Sequence, residues 1–362
     1  MKKKNFIYIS ALCALMSFSF TSCGDDEDPI PEVPETPEPK PEQPVEGKSF
    51  MALYFLNSGN MGNNNSSLYM YDVEKDEVVP DYFLAQNGRG LGDTAQDMIV
   101  YGDKMYITVS GENTIEVTDL HAKSIKQIET DGQPRYMTMA GGKVYISYFD
   151  GYVARLDTAS LEVEAKVKVG RNPEQLAVSS NKLFVTNSGG MDYATEVGYD
   201  KTVSVVDLST FAEIKKVDVA LNPTRVQADE QGNVYVVSMG NYTDIPNTVQ
   251  KINAETYEVT PLADCPNATE MAYEDAQYGM PDPSFMTFDT EKQSVGESFI
   301  MDGTSIGKPY SISAVGGNVY VAESDYKNNG DIYCFGGDGK LFKKFEAGLN
   351  PMKVVLAQKD NI

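Results

Sequence analysis

An internal repeat organises this 362-residue sequence. Each copy opens with a turn, often Asn-Pro, then an apolar strand, a short Gly or Asn turn, and a second strand centred on an aromatic. A variable loop, a third strand ending in Asp and a short fourth strand complete it. The clearest copy reads Gln133-Pro134-Arg135-Tyr136-Met137, then Gly141-Gly142, Val144-Tyr145-Ile146-Ser147 and Tyr152-Val153-Ala154-Arg155-Leu156-Asp157. Positions equivalent to Pro134 fall at Ala95, Pro134, Pro173, Pro223, Ala268, Pro309 and Pro351, 39 to 50 residues apart. In five copies the second-strand aromatic is Tyr106, Tyr145, Phe184, Tyr235 or Tyr320. Four short strands at this period are the blade of a β-propeller.

The two ends of the repeat region complete one another. Its N-terminal part starts directly at a second strand, Leu53-Tyr54-Phe55-Leu56, with no Asn-Pro segment before it. The C-terminus supplies Asn350-Pro351 and then Val354-Val355-Leu356. The expected fold is therefore all-β: a seven-bladed β-propeller of four-stranded antiparallel blades, closed by the C-terminal strand joining the N-terminal blade. Such closure removes open sheet edges. The Ala268 copy is degenerate, because Pro281 and Pro283 fall where its second strand should finish.

Residues 1–22 read as a signal peptide. Lys2, Lys3 and Lys4 precede an apolar run over 6–20, and the small residues Thr21 and Ser22 lead into Cys23. This boundary resembles the lipobox of bacterial lipoproteins, with Phe20 where Leu is usual, which implies lipidation of Cys23. Gly24-Asp25-Asp26-Glu27-Asp28 resembles the acidic signal that sends lipoproteins of some Gram-negative gut bacteria to the outer face of the outer membrane. Residues 23–48 then form a Pro/Glu-rich tether that cannot bury a core. In polyproline geometry 24–48 reaches roughly 75 Å. The propeller occupies 49–362.

Strand order separates two faces. Loops between second and third strands share a face with the links from one repeat to the next. The opposite face is trimmed to tight hairpins such as Gly141-Gly142 and Ser180-Asn181. The first face carries long stretches over 57–67, 187–200, 238–247 and 323–331, and a link over 84–93. Long loops on a rigid scaffold are where binding residues concentrate. The candidate ligand contacts are Asn57, Arg89, Gln96, Arg135, Tyr148, Phe149, Asn187, Tyr193, Tyr199, Arg225, Met239, Tyr242, Tyr278, Tyr310 and Tyr326. Such Asn-, Tyr-, Ser- and Gly-rich surfaces give contact area and adaptable hydrogen bonds. Arg135 and Arg225 either meet an anionic group of a ligand or form ion pairs with neighbouring acids.

Several chemistries lack their residues. The only histidine, His121, lies in a third-to-fourth turn on the trimmed face, which excludes a His-based metal centre or a serine–histidine pair. Tryptophan is absent. Gly88-Arg89-Gly90-Leu91-Gly92 lacks phosphate-loop or dinucleotide spacing. A formal charge of −23 repels nucleic acid. No carboxylates form a defensible catalytic pair, although two from distant repeats remain compatible with a glycosidase. Cys265 and Cys334 have no zinc spacing and are either a disulfide or two buried thiols. The expectation is a binding protein with no enzymatic activity, no cofactor and no metal.

Phe184-Val185-Thr186-Asn187 with Thr202-Val203-Ser204-Val205-Val206-Asp207 resembles the repeat of YncE-like seven-bladed propellers. Taken with the lipobox, acidic run and tether, the chain resembles the BtuG family of surface cobalamin-binding lipoproteins. That resemblance implies capture of vitamin B12 and related corrinoids at the cell surface. It also implies hand-over to a TonB-dependent outer-membrane transporter of the BtuB type. It assigns no individual binding residue. A glycan-binding surface lipoprotein of a nutrient-uptake system is the alternative.

Overall fold

The computed structural model describes residues 50–262, 268–274, 277–282 and 284–359, and within 273–284 it describes the backbone alone. The described strands form seven four-stranded antiparallel sheets. In the first sheet Pro351–Lys359 pairs with Phe50–Asn57, followed by Ser67–Asp72 and Glu77–Val79. The second to fifth sheets begin with Ala95–Tyr101, Pro134–Ala140, Pro173–Ser179 and Pro223–Ala228, each followed outward by the next three strands in sequence. The sixth and seventh begin with Ala272–Glu274 and Pro309–Val315. First strands of consecutive sheets pack against one another.

Alternation along the strands explains the stacking. Successive residues point to opposite faces. In Phe50–Asn57, Tyr54 and Leu56 pack with Met98 and Ile107 of the second sheet, whereas Leu53 and Phe55 pack with Tyr320 and Ile332 of the seventh. Second strands are thus apolar on both faces, as in Lys143–Tyr148, where five consecutive residues are buried. Fourth strands meet solvent on one side, and Val163–Lys168 alternates half-buried with exposed residues. Seven apolar clusters result, each filling the gap between two neighbouring sheets. Emptying one such position, as in Phe184→Ala, removes about 3–5 kcal/mol.

Local chemistry sets the turns. Asn172, Asn222 and Asn350 adopt φ of 44°, 61° and 55° just before the prolines that open first strands. Asn tolerates this left-handed region far better than branched residues. The Asp that ends third strands accepts backbone N–H groups of the next turn. Asp157 takes those of Ala159 and Ser160, and Asp289 those of Glu291 and Lys292. These Asx turns fold the third-to-fourth hairpins.

The strand Gln277–Asp282 contains Pro281 and pairs with the strands on both sides, so Pro281 does not break it. Pro283 and Cys265 lie outside the described residues. Cys334 is a buried free thiol, and burial pushes its pKa up to about 12.

Candidate functional site

The first residues of each first strand converge on one cavity of about 670 Å³. All seven sheets contribute. Gln96 and Asp97, Arg135 and Tyr136, Glu174 and Gln175, Thr224 and Arg225, Met271, Tyr310 and Lys353 line it in sheet order. A first strand has no hydrogen-bonded neighbour on its inner side, so its inward groups need other partners. Side chains of the preceding sheet supply them. Asp97 Oδ2 accepts from Met137 N (2.8 Å), Gln175 Oε1 from Val226 N (3.1 Å) and Ser313 Oγ from Val354 N (3.0 Å).

The charged lining is paired across sheets. Arg135 donates to Glu174 through Nη2 and Nε (2.8 and 3.2 Å) and to Gln96 Oε1 through Nη1 (2.8 Å). Arg225 Nε donates to Glu270 Oε2 at 2.6 Å. Lys353 Nζ stands 3.7 Å from Asp97 Oδ1. These pairs join the third sheet to the fourth, the fifth to the sixth and the first to the second. Among the described residues the cavity therefore holds three cations and three carboxylates. Burial opposes the Arg135 and Arg225 charges, but Glu174 and Glu270 outweigh it and hold both guanidinium groups above their ordinary range. Tyr136 lies between the two, 5.6 Å from Arg135 and 5.7 Å from Arg225, and accepts from Gln96 Nε2. Burial pushes Tyr310 up to about 12, with Tyr326 adding to the shift. Its phenol stays a donor throughout the physiological range.

Loops crown the mouth. Met61, Met191, Tyr193, Tyr242 and Tyr326 are 62–85% exposed, an unusual density of large apolar side chains on an otherwise acidic protein. Met61, Tyr242 and Tyr326 also line the cavity. Tyr193, Tyr199 and Tyr242 form a row with ring centroids 6.4 and 6.2 Å apart. Tyr310 meets Tyr326 edge-on at 5.4 Å. Arg171, paired with Asp192 and donating to Gly198 O, ties down the 188–201 loop.

Seven of the residues singled out from sequence line this cavity: Gln96, Arg135, Arg225, Met239, Tyr242, Tyr310 and Tyr326. Tyr193 and Tyr199 extend its rim. Phe149 lies behind it, under the Arg135 guanidinium at 4.8 Å. The ion-pair reading of Arg135 and Arg225 is the one the geometry gives.

Three corrections follow from burial and one from an ion pair. Asn57 is buried, donating to Ser67 Oγ and accepting from Gly348 N. Asn187 is buried and serves Gly170 N, Thr202 Oγ1 and Ser204 Oγ. Tyr148 is fully buried between the second and third sheets. All three are buried because the last residues of second strands still lie between sheets. Arg89 is the fourth. The outer strand Glu77–Val79 is only three residues long, and the helix Tyr82–Asn87 follows it, with Asn87 bonded to Ala122 and Ser124 of a trimmed-face hairpin. Arg89 is consequently locked on both oxygens of Glu116, away from the cavity. The side chain of Tyr278 lies outside the described ones.

Tyr136, Glu174, Gln175, Glu270 and Lys353 are absent from that sequence selection. One signal marks most of them: a polar residue one or two places after the turn proline, at the head of an otherwise apolar strand.

Residues 52–316 match the family model "Domain of unknown function (DUF5074)", and the chain belongs to that family. No curated protein sequence matches it. Among solved structures it is similar to Kuenenia stuttgartiensis hydrazine synthase, with TM-score 0.55 and 12% identity over 71% of this chain and 93% of that one. It is also similar to the computationally designed Ika8 protein, with TM-score 0.56 and 12% identity over 85% and 90%. These likenesses speak to fold alone, and with the stacked four-stranded sheets they identify a β-propeller.

Proposed function

We propose that this DUF5074 member is a seven-bladed propeller, closed by its C-terminal strand, that captures cobalamin and related corrinoids in the mouth of its channel. Support for closure comes from the strand Pro351–Lys359, which pairs with Phe50–Asn57 and packs against both Pro309–Val315 and Ala95–Tyr101. In this reading residues 1–22 are removed, Cys23 carries lipid, and 23–48 tether the domain to the outer face of the outer membrane. The captured corrinoid passes to a TonB-dependent transporter of the BtuB type.

The observation that carries the ligand reading is the cavity's composition. Its guanidinium groups are paired with carboxylates, its other lining groups mix amides, hydroxyls and phenols with apolar side chains such as Met239, Met271 and Ile312, and its rim is Met and Tyr. A large, amide-rich ligand with an apolar face suits such a site through many hydrogen bonds. The protein acts by binding and performs no chemistry on the ligand. His121 stands in the turn between Thr114–Asp119 and Ser124–Glu129, with its ring 4.2 Å from Phe50, so no histidine bonds to cobalt.

A second reading has its own support. The Tyr193–Tyr199–Tyr242 row is a surface on which sugar rings stack, which favours a glycan-binding lipoprotein. Titration calorimetry with cyanocobalamin, beside a panel of host and plant glycans, separates the two. We expect saturable heat with the corrinoid and none with the glycans. Heat with glycans alone replaces the first reading by the second.

A further inference from the structure

We infer that Lys353 is the residue of the cavity that receives an anionic oxygen of the ligand, a phosphodiester or carboxylate, while Arg135 and Arg225 are positioning residues. The inference rests on the cavity being the ligand site and adds the chemistry of one contact. The three cations differ in how fully they are used. Arg135 spends three donors on Glu174 and Gln96 at 2.8–3.2 Å, with Phe149 and Tyr136 against its plane. Arg225 is fixed on Glu270 at 2.6 Å, and a further donor reaches Thr224 O at 3.4 Å. Drawing either guanidinium towards an anion would pull it off a charge-assisted pair and leave that carboxylate less compensated.

Lys353 is placed differently. Its nearest carboxylate, Asp97 Oδ1, is 3.7 Å away, beyond hydrogen-bond range. Asp97 cannot close that gap, because it is 4% exposed and its other oxygen accepts from Met137 N. The Lys353 side chain is 36% exposed, whereas that of Asp97 is only 6% exposed. An ammonium is a compact point charge with three freely rotating donors on a flexible stem. It can therefore turn towards a ligand oxygen while Asp97 stays in place. Elsewhere the chain is strongly acidic, with a formal charge of −23, so an available cation among the described residues of the cavity discriminates between anionic positions on a ligand.

The test compares two corrinoids that share the corrin ring. Cyanocobalamin carries the phosphodiester of the nucleotide loop, and dicyanocobinamide lacks it. Wild type, Lys353→Gln and Lys353→Arg are titrated with both, after thermal melts establish that each variant is folded. Lys353→Gln should weaken cyanocobalamin roughly tenfold to a hundredfold, the scale of one charged hydrogen bond. It should leave dicyanocobinamide unchanged, and Lys353→Arg should recover most of the loss. Equal losses for both corrinoids, or none, overturn the assignment. A second arm does not need a corrinoid at all. Inorganic phosphate titrated into wild type should shift the Lys353 side-chain NMR signals saturably and leave the Arg135 and Arg225 Nε signals in place. Saturable shifts on the arginines instead, or on none of the three, also overturn it. If wild type binds neither corrinoid, the corrinoid reading fails, and the phosphate arm alone decides the role of Lys353.

Discussion

Asn187 and Tyr148 end neighbouring versions of the same strand, and both are fully buried, yet they do opposite things with their polar atoms. Asn187 accepts from Gly170 N and donates to Thr202 and Ser204. Gly170 itself has no room for a Cβ against that side chain. Among the described residues the Tyr148 hydroxyl meets no hydrogen-bond partner in its buried position. Asn187→Ala should therefore cost about 2–4 kcal/mol in urea unfolding, since it strands buried donors and acceptors. Tyr148→Phe should be neutral or stabilising, because it removes a buried hydroxyl that bonds to nothing. Neither substitution should alter ligand affinity in the folded protein. A ligand-affinity loss in Tyr148→Phe would contradict the buried placement. At this scale the sequence was an incomplete guide. Residue type marks Asn57, Asn187 and Tyr148 as binding-loop material, but only the stacking of sheets decides that they face inward. Conversely, Tyr136, Glu174 and Lys353 sit in strands, where no loop signal reveals them.

At the scale of elements the reading went much further. The repeated Asn-Pro, Gly-Gly and terminal Asp each impose a backbone geometry, so turn positions were legible from single residues. Arg89 shows the limit, because a three-residue outer strand and a six-residue helix leave no comparable signature. The terminal Asp residues also set an acid sensitivity. The Lys75 hydrogen bond holds Asp72 below the usual carboxylate range, and Lys143, Thr210 and Lys292 do the same for Asp157, Asp207 and Asp289. Groups lowered in the folded state stabilise it fully above their unfolded pKa. That contribution disappears as pH falls through the folded values. Melting temperature should drop as pH falls below about 4, the unfolded Asp pKa. A Tm unchanged between pH 5 and pH 2.5 would refute this. Asp207→Ala should show a lower Tm at neutral pH and a shallower acid decline.

For the whole molecule, the period of 39 to 50 residues points to stacked four-stranded sheets, because a sheet apolar on both faces must stack on two neighbours. What the period could not convey is that first strands bring their opening residues together into one charge-paired cavity. That convergence depends on how sheets are arranged around a centre, which no local pattern encodes. It also explains how an acidic chain presents a neutral, hydrogen-bonding recess under a Met and Tyr rim. The central claim is that this recess holds the ligand. A crystal structure grown with saturating cyanocobalamin tests it most directly. Corrinoid density is expected in the mouth of the channel, over Tyr136 and Tyr310 and beneath Met61, Tyr242 and Tyr326. Density on the hairpin face or the outer strands, or an empty cavity at saturating ligand, would contradict it.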